Sequence, residues 1–129
     1  MLRLLYLLPI CFCSTSLAAE CDHPQIDRAT TLASVVGQKL VPERFLGGKN
    51  ISSSIDRCQY DEATDAFSLG IHVKWNGVLM TWNSYEIWGE ATSNWAGSEI
   101  SFVLAGGNDR AQELVFWKDV AGQVIEVVK

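Results

Sequence analysis

The chain has 129 residues, with 10 Lys and Arg against 15 Asp and Glu and a formal charge of −5. The charges are scattered and no run of Lys or Arg occurs, which excludes the electrostatic footprint of a protein that binds nucleic acid or an anionic membrane. No apolar stretch reaches the length of a membrane span, so none is expected.

Residues 1–19 read as an address rather than as structure. Arg3 supplies a positive start, Leu4 to Phe12 form a short apolar run, and Ser14-Thr15-Ser16-Leu17-Ala18-Ala19 offers small residues for cleavage. That is the layout of a secretory signal peptide. Cleavage after Ala18 or after Ala19 satisfies the small-residue requirement, and both remain open. The expectation is an exported protein, periplasmic or extracellular. Removing 19 of the 129 residues leaves 110, Glu20 to Lys129, enough for one domain with its own core. Arg3 is the one charge lost, so nine basic residues face fifteen acidic ones, a formal charge of −6.

Processing also halves the cysteine count. Cys11 and Cys13 leave with the leader, whereas Cys21 and Cys58 remain. An even pair in an oxidising compartment predicts one disulfide, which would tie the mature N-terminus to the domain. A lipid-anchored Cys21 would need a small residue before it, and Glu20 stands there instead.

The first predicted element is a helix over Asp22 to Gly37. Asp22 and Gln25 have capping-box spacing, Pro24 suits the first turn, and Gly37 is placed to end it. Ile26, Ala29, Ala33 and Val36 share one stripe, with Leu32 beside it. Val41 to Leu46 is expected to be short and extended. Gly47-Gly48-Lys49-Asn50 and Ser52-Ser53-Ser54 read as a loop. A strand is expected at Ile55 to Tyr60 and a turn at Asp61 to Asp65.

The alternation of Phe67, Leu69, Ile71, Val73 and Trp75 with Ser68, Gly70, His72 and Lys74 predicts a half-buried strand. Asn76-Gly77 follows and predicts a type I′ hairpin turn. Folding there pairs Trp75 with Val78, Val73 with Met80, Ile71 with Trp82 and Leu69 with Ser84. That register puts Trp82 on the apolar face and His72 on the face opposite Glu86. Further strands are expected at Glu99–Ala105, Glu113–Lys118 and Gln123–Val128. Gly106 to Asp109 and Val120 to Gly122 supply their turns. As an alternative to the strand at 113–118, Asp109 and Gln112 cap a second helix running to Trp117. The fold class is α+β, with one N-terminal helix packed on a curled antiparallel meander of about five or six strands.

Sites for chemistry are sparse. His23 and His72 are the only histidines, and neither has companions at metal-ligand spacing, so no metal and no cofactor is expected. There is no Gly-x-Ser-x-Gly elbow, and Gly47-Gly48-Lys49 lacks the rest of a phosphate loop. The best acid–base set is His72 with Glu86 or Glu90, helped by Arg110, but the predicted register separates His72 from Glu86. Asn50-Ile51-Ser52 is a glycosylation acceptor triplet.

Four of the five tryptophans, Trp75, Trp82, Trp88 and Trp95, fall within 21 residues. Tyr85, Trp88 and Trp95 lie off the apolar face or in a loop bounded by Gly89 and Gly97, interleaved with Asn94 and Glu90. Amphipathic rings among amides and carboxylates characterise protein interfaces and sugar-binding faces. Tyr85, Trp88, Glu90, Asn94 and Trp95 are therefore the candidate binding residues, and no catalytic set is assigned. The expected function is a non-catalytic binding protein, an inhibitor or immunity-type factor for an extracytoplasmic protein with a basic surface. A carbohydrate- or cell-wall-binding module and a small secreted hydrolase or ribonuclease are the alternatives.

Overall fold

The computed structural model describes residues 19–129, so the expected leader, apart from Ala19, lies outside the described residues with Cys11 and Cys13. Ala19–Glu20 (β1) precedes one long helix, His23–Arg44 (α1). The strands Lys49–Asp61 (β2), Ala66–Asn76 (β3), Ser84–Ser93 (β4), Ile100–Gly107 (β5) and Val124–Val128 (β6) follow. Two single helical turns, Asp109–Gln112 (α2) and Trp117–Val120 (α3), separate β5 from β6. The sheet is an open antiparallel meander in the order β1-β2-β3-β4-β5-β6. The α+β expectation therefore holds, with six strands.

The helix starts as its sequence requires. The Asp22 carboxylate accepts the Gln25 N–H at 2.9 Å, and the Gln25 side chain accepts the Asp22 N–H at 2.9 Å, with Pro24 in the first turn. It does not stop at Gly37. It continues through Pro42 to Arg44, so the expected extended piece at Val41–Leu46 is mostly helix. Leu40, Val41 and Phe45 extend the buried stripe, while Ile26 at its start is 42% exposed. Gly37 serves close approach instead: a Cβ there would lie 2.3 Å from the Ser53 hydroxyl oxygen. The chain breaks where Leu46 and Gly47 take φ of 61° and 95°.

Strand β2 begins at Lys49, inside the stretch expected to be a loop. Ser52, Ser53 and Ser54 pair with Lys74, Val73 and His72. The register then skips: Ile55 pairs with Ile71 and Arg57 with Gly70, leaving Asp56 as the extra residue of a bulge. The bulge inverts the alternation, so odd-numbered Ser53 and Ile55 share a face with even-numbered Cys58 and Tyr60. No single period runs through β2, which is why the sequence shows only its second half.

Strand β3 is as expected, with Phe67, Leu69, Ile71, Val73 and Trp75 at 0–2% exposure. The hairpin after it is not. Trp75 pairs with Tyr85, Val73 with Ile87, Ile71 with Gly89 and Leu69 with Ala91, an uninterrupted ladder ending at Phe67 with Ser93. Asn76 and Gly77 lack the positive φ that a type I′ turn needs. Residues 77–83 form the loop instead, closed by Gly77 N–H to Asn83 O at 3.0 Å and Asn83 N–H to Met80 O at 2.9 Å. A ladder that buries Ile87 and Ala91 outweighs the local preference of Asn-Gly. Val78, Met80 and Trp82 are consequently 47%, 54% and 77% exposed rather than core.

Two later expectations also change. The supposed loop from Gly89 to Gly97 is strand as far as Ser93. Residues 113–118 are not a strand, and the capped helix is confined to one turn, with Asn108 rather than Asp109 accepting the Ala111 N–H. One core joins Ala29, Leu32, Ala33, Val36 and Leu40 of α1 to Leu69, Ile71, Val73, Ile87, Phe102, Leu104 and Ile125 of the sheet. Cys21 and Cys58 form the expected disulfide, Cα atoms 5.5 Å apart, at the rim of that core.

Two measurements check this account. Ile71→Ala and Val73→Ala should each cost about 2–4 kcal/mol by chemical denaturation, whereas Leu79→Ala should cost less than about 0.5 kcal/mol. Intact mass with and without reduction should detect one disulfide, and Cys21→Ser with Cys58→Ser should lower stability by about 3–4 kcal/mol for a loop of 37 residues.

Candidate functional site

Three surfaces carry the aromatic residues, and they lie apart. At one end of the sheet stands the 77–83 loop. Leu79 is 91% exposed there, flanked by Val78, Met80 and Trp82, and Leu46 just beyond α1 is 73% exposed. A shallow apolar groove of about 290 Å³ runs behind the loop, lined by Phe45, Leu46, Trp75, Tyr85 and Leu114 among others. Tyr85 lies on the helix side of the sheet, stacked on Trp75 with centroids 5.5 Å apart, so it is a half-buried wall of this groove. The loop base is fixed further by the Asn76 amide donating to Asn83 O at 3.4 Å.

At the opposite end, Trp95 opens the β4–β5 connection. Its ring packs on Tyr60 and Phe67, and it is 40% exposed. Arg28 of α1 donates to Trp95 O at 2.6 Å and Ala96 O at 2.8 Å. The Asn94 carboxamide is occupied in shaping the turn, accepting from Ser98 N–H at 3.0 Å and donating to the Ser98 hydroxyl at 2.7 Å. Asp65 ties the corner together, accepting from the Tyr60 hydroxyl at 2.7 Å and from the Trp95 N–H at 2.9 Å. Those donors hold its carboxyl below the ordinary carboxylate range. The same hydrogen bond, with the carboxylate's charge, pushes Tyr60 up to about 12.

The third surface is the open face of the sheet, opposite α1. The observed register reverses the expectation for His72: Glu86 is on the same face, with Oε2 3.2 Å from Nδ1, and Asp56 Oδ2 lies 2.9 Å from Nε2. The bulge makes this possible by turning both Asp56 and Arg57 outward. Asp56 crosses directly over Gly70, where a Cβ would meet its Oδ1 at 2.1 Å. Arg57 donates to Ser68 Oγ at 3.3 Å and forms an ion pair with Glu90. Trp88, cross-strand from His72, tilts toward the imidazole with centroids 5.8 Å apart. Its indole rests on Gly106, where a Cβ would lie 2.6 Å from Nε1.

No family model, curated protein or solved structure matches this chain. Its chemistry is therefore read from the residues alone. On the open face the acid–base set contains Asp56 and Arg57 beside His72, Glu86 and Glu90, and Arg110 on α2 takes no part in any ion pair of that set. Both imidazole nitrogens face carboxylates, Nδ1 toward Glu86 and Nε2 toward Asp56. Because those nitrogens point to opposite sides of the ring, the three residues do not converge on one metal position. Among the described residues no group of three or more His, Cys, Asp or Glu has metal-binding geometry. Among them also, no helix is long and apolar enough to cross a membrane.

The five candidate binding residues thus divide. Trp88 and Glu90 share the open face, Tyr85 lines the apolar groove, and Asn94 and Trp95 belong to the far turn. Sequence reasoning missed Trp82 as an exposed group because the assumed turn folded it inward, and it left Leu79 unremarked on the face of Lys74.

The Tyr60–Asp65 bond has a defined pH signature. Tyr60 has a folded pKa above its unfolded one, so its contribution is complete below about 10 and is lost as pH rises through about 12. Asp65 has a lowered folded pKa, so its contribution is present above its unfolded value and is lost as pH falls through the folded one. Asp65→Asn should return the Tyr60 titration, followed by phenolate absorbance, toward about 10. A Tyr60 midpoint unmoved in that variant would contradict the assignment.

Proposed function

We propose that this chain is exported and acts as a non-catalytic binding protein, of inhibitor or immunity type, that inserts its 77–83 loop into an apolar cleft of another extracytoplasmic protein. One observation carries the reading: Val78, Leu79, Met80 and Trp82 stand in water on a loop whose stem is hydrogen-bonded and continuous with the core. Exposed apolar clusters of this kind mark interaction sites. Burying a side chain such as Leu79 against a partner is worth roughly 1.5–3 kcal/mol. A loop already held at its base loses little freedom on docking, which favours affinity. Trp82 is the natural anchor, since tryptophan is over-represented among residues that dominate binding energy.

Export is supported by the leader-like layout of residues 1–19 and by the Cys21–Cys58 bond, which belongs to an oxidising compartment. A protein partner is favoured over an anionic bilayer because acidic residues outnumber basic ones. It is favoured over a glycan because Tyr85, Trp88 and Trp95 share no common platform.

The test is affinity capture from periplasmic or culture fluid with the protein and with Leu79→Ser plus Trp82→Ser. The expected result is a stoichiometric partner held by the protein and released by the double variant, with an unchanged Tm. Equal capture by the two would refute the loop as the binding element.

A further inference from the structure

We propose that the open face of the sheet is a second binding surface, which takes an arginine side chain of a basic protein segment on Trp88. The inference rests on the protein-binding reading but not on the 77–83 loop. Glu86, Trp88 and Glu90 stand at alternate positions of β4, so they form one row on that face, with about 6.8 Å between successive members. The indole is 36% exposed and is held from beneath by Gly106 and from the β3 side by His72. It is thus a fixed aromatic surface between two carboxylates. A planar cation over a tryptophan ring, with carboxylates at its edges, satisfies both cation–π attraction and charge-assisted hydrogen bonding. Arginine suits this better than lysine because its guanidinium stacks and presents donors in a plane.

The carboxylates are oriented without being saturated. His72 and Arg57 engage Asp56 Oδ2, Glu86 Oε2 and Glu90 Oε1, which leaves the second oxygen of each for an outside donor. Arg57, bonded to Glu90 and Ser68, is itself a guanidinium held on this face. The charge balance points the same way. Asp56, Glu86 and Glu90 face two fixed cations, Arg57 and Lys74, and the chain as a whole carries an acidic excess. The complement of that surface is basic.

The experiment titrates ¹⁵N-labelled protein with a hexa-arginine peptide and follows the five indole N–H signals. That of Trp88 is identified by its loss in Trp88→Leu, a variant that keeps apolar contact over Gly106. Hexa-lysine and hexa-glutamate peptides are run in parallel. The expected result is a saturable shift of the Trp88 signal with hexa-arginine, weaker with hexa-lysine and absent with hexa-glutamate. Glu86→Gln plus Glu90→Gln should weaken the arginine response about tenfold. Leu79→Ser plus Trp82→Ser should leave it unchanged, which separates this surface from the loop. An arginine response that spares the Trp88 signal, or that survives both Trp88→Leu and the double glutamate variant, would overturn the proposal. So would equal responses to arginine and lysine peptides.

Discussion

The burial of one face of β3 under α1 governs most of what this molecule presents to water. Phe67, Leu69, Ile71, Val73 and Trp75 are committed to the core, so Ser68, Gly70, His72 and Lys74 must lie on the other side. The partners of β3 inherit the same division. Tyr85, Ile87, Gly89, Ala91 and Ser93 follow the buried row, and Glu86, Trp88, Glu90 and Thr92 follow the open one. The loop at 77–83 is what remains when that ten-residue ladder has taken every residue it can bury.

The interior and the surface answer to different forces along the chain. The helix side of the sheet is close-packed and nearly free of polar atoms. Two serines are exceptions: the Ser93 hydroxyl donates to Asn94 O, and the Ser53 hydroxyl is buried against Gly37 without a hydrogen-bond partner. The open face is ordered by paired charges across three strands, each pair partly hydrated and individually weak. The two ends of the sheet contrast as well. One corner is cross-linked by Asp65, Tyr60 and Arg28 to neighbouring backbone and side chain, and the other exposes hydrocarbon. A protein that spends its polar contacts at one end and leaves the other greasy has a built-in polarity of orientation.

Much of this was legible from the sequence, and the failures have particular causes. The capping box at Asp22, the stripe of α1, the alternation of β3 and the Cys21–Cys58 bond all follow from local chemistry that tertiary contacts reinforce. The α1 end was misread because Gly37 satisfies two roles, helix stop and close contact, which look alike in a sequence. The β3–β4 register was misread because Asn-Gly is a local preference, whereas the pairing of Val73 with Ile87 and Leu69 with Ala91 is settled ten or more residues away. An odd-numbered slip exchanges the two faces of a strand, so one wrong turn buried Trp82 and separated His72 from Glu86. The open-face cluster was therefore invisible. Its remaining members, Asp56 and Arg57, face outward together only through a bulge that no periodicity announces.

That bulge also joins the fold to its cross-link. Asp56 is the residue that shifts the phase of β2, and only after the shift does Cys58 lie on the core side, where Cys21 is waiting. Were Asp56 paired in regular alternation instead of bulged, Cys58 would fall opposite Ser68 and face outward, its sulfur directed away from its partner. Oxidation therefore works as a proofreader of strand alignment: the covalent bond closes in chains whose β2 has counted correctly. The number of residues between Ile55 and Cys58 does not by itself place the cross-link; the bulge that takes Asp56 out of the ladder does.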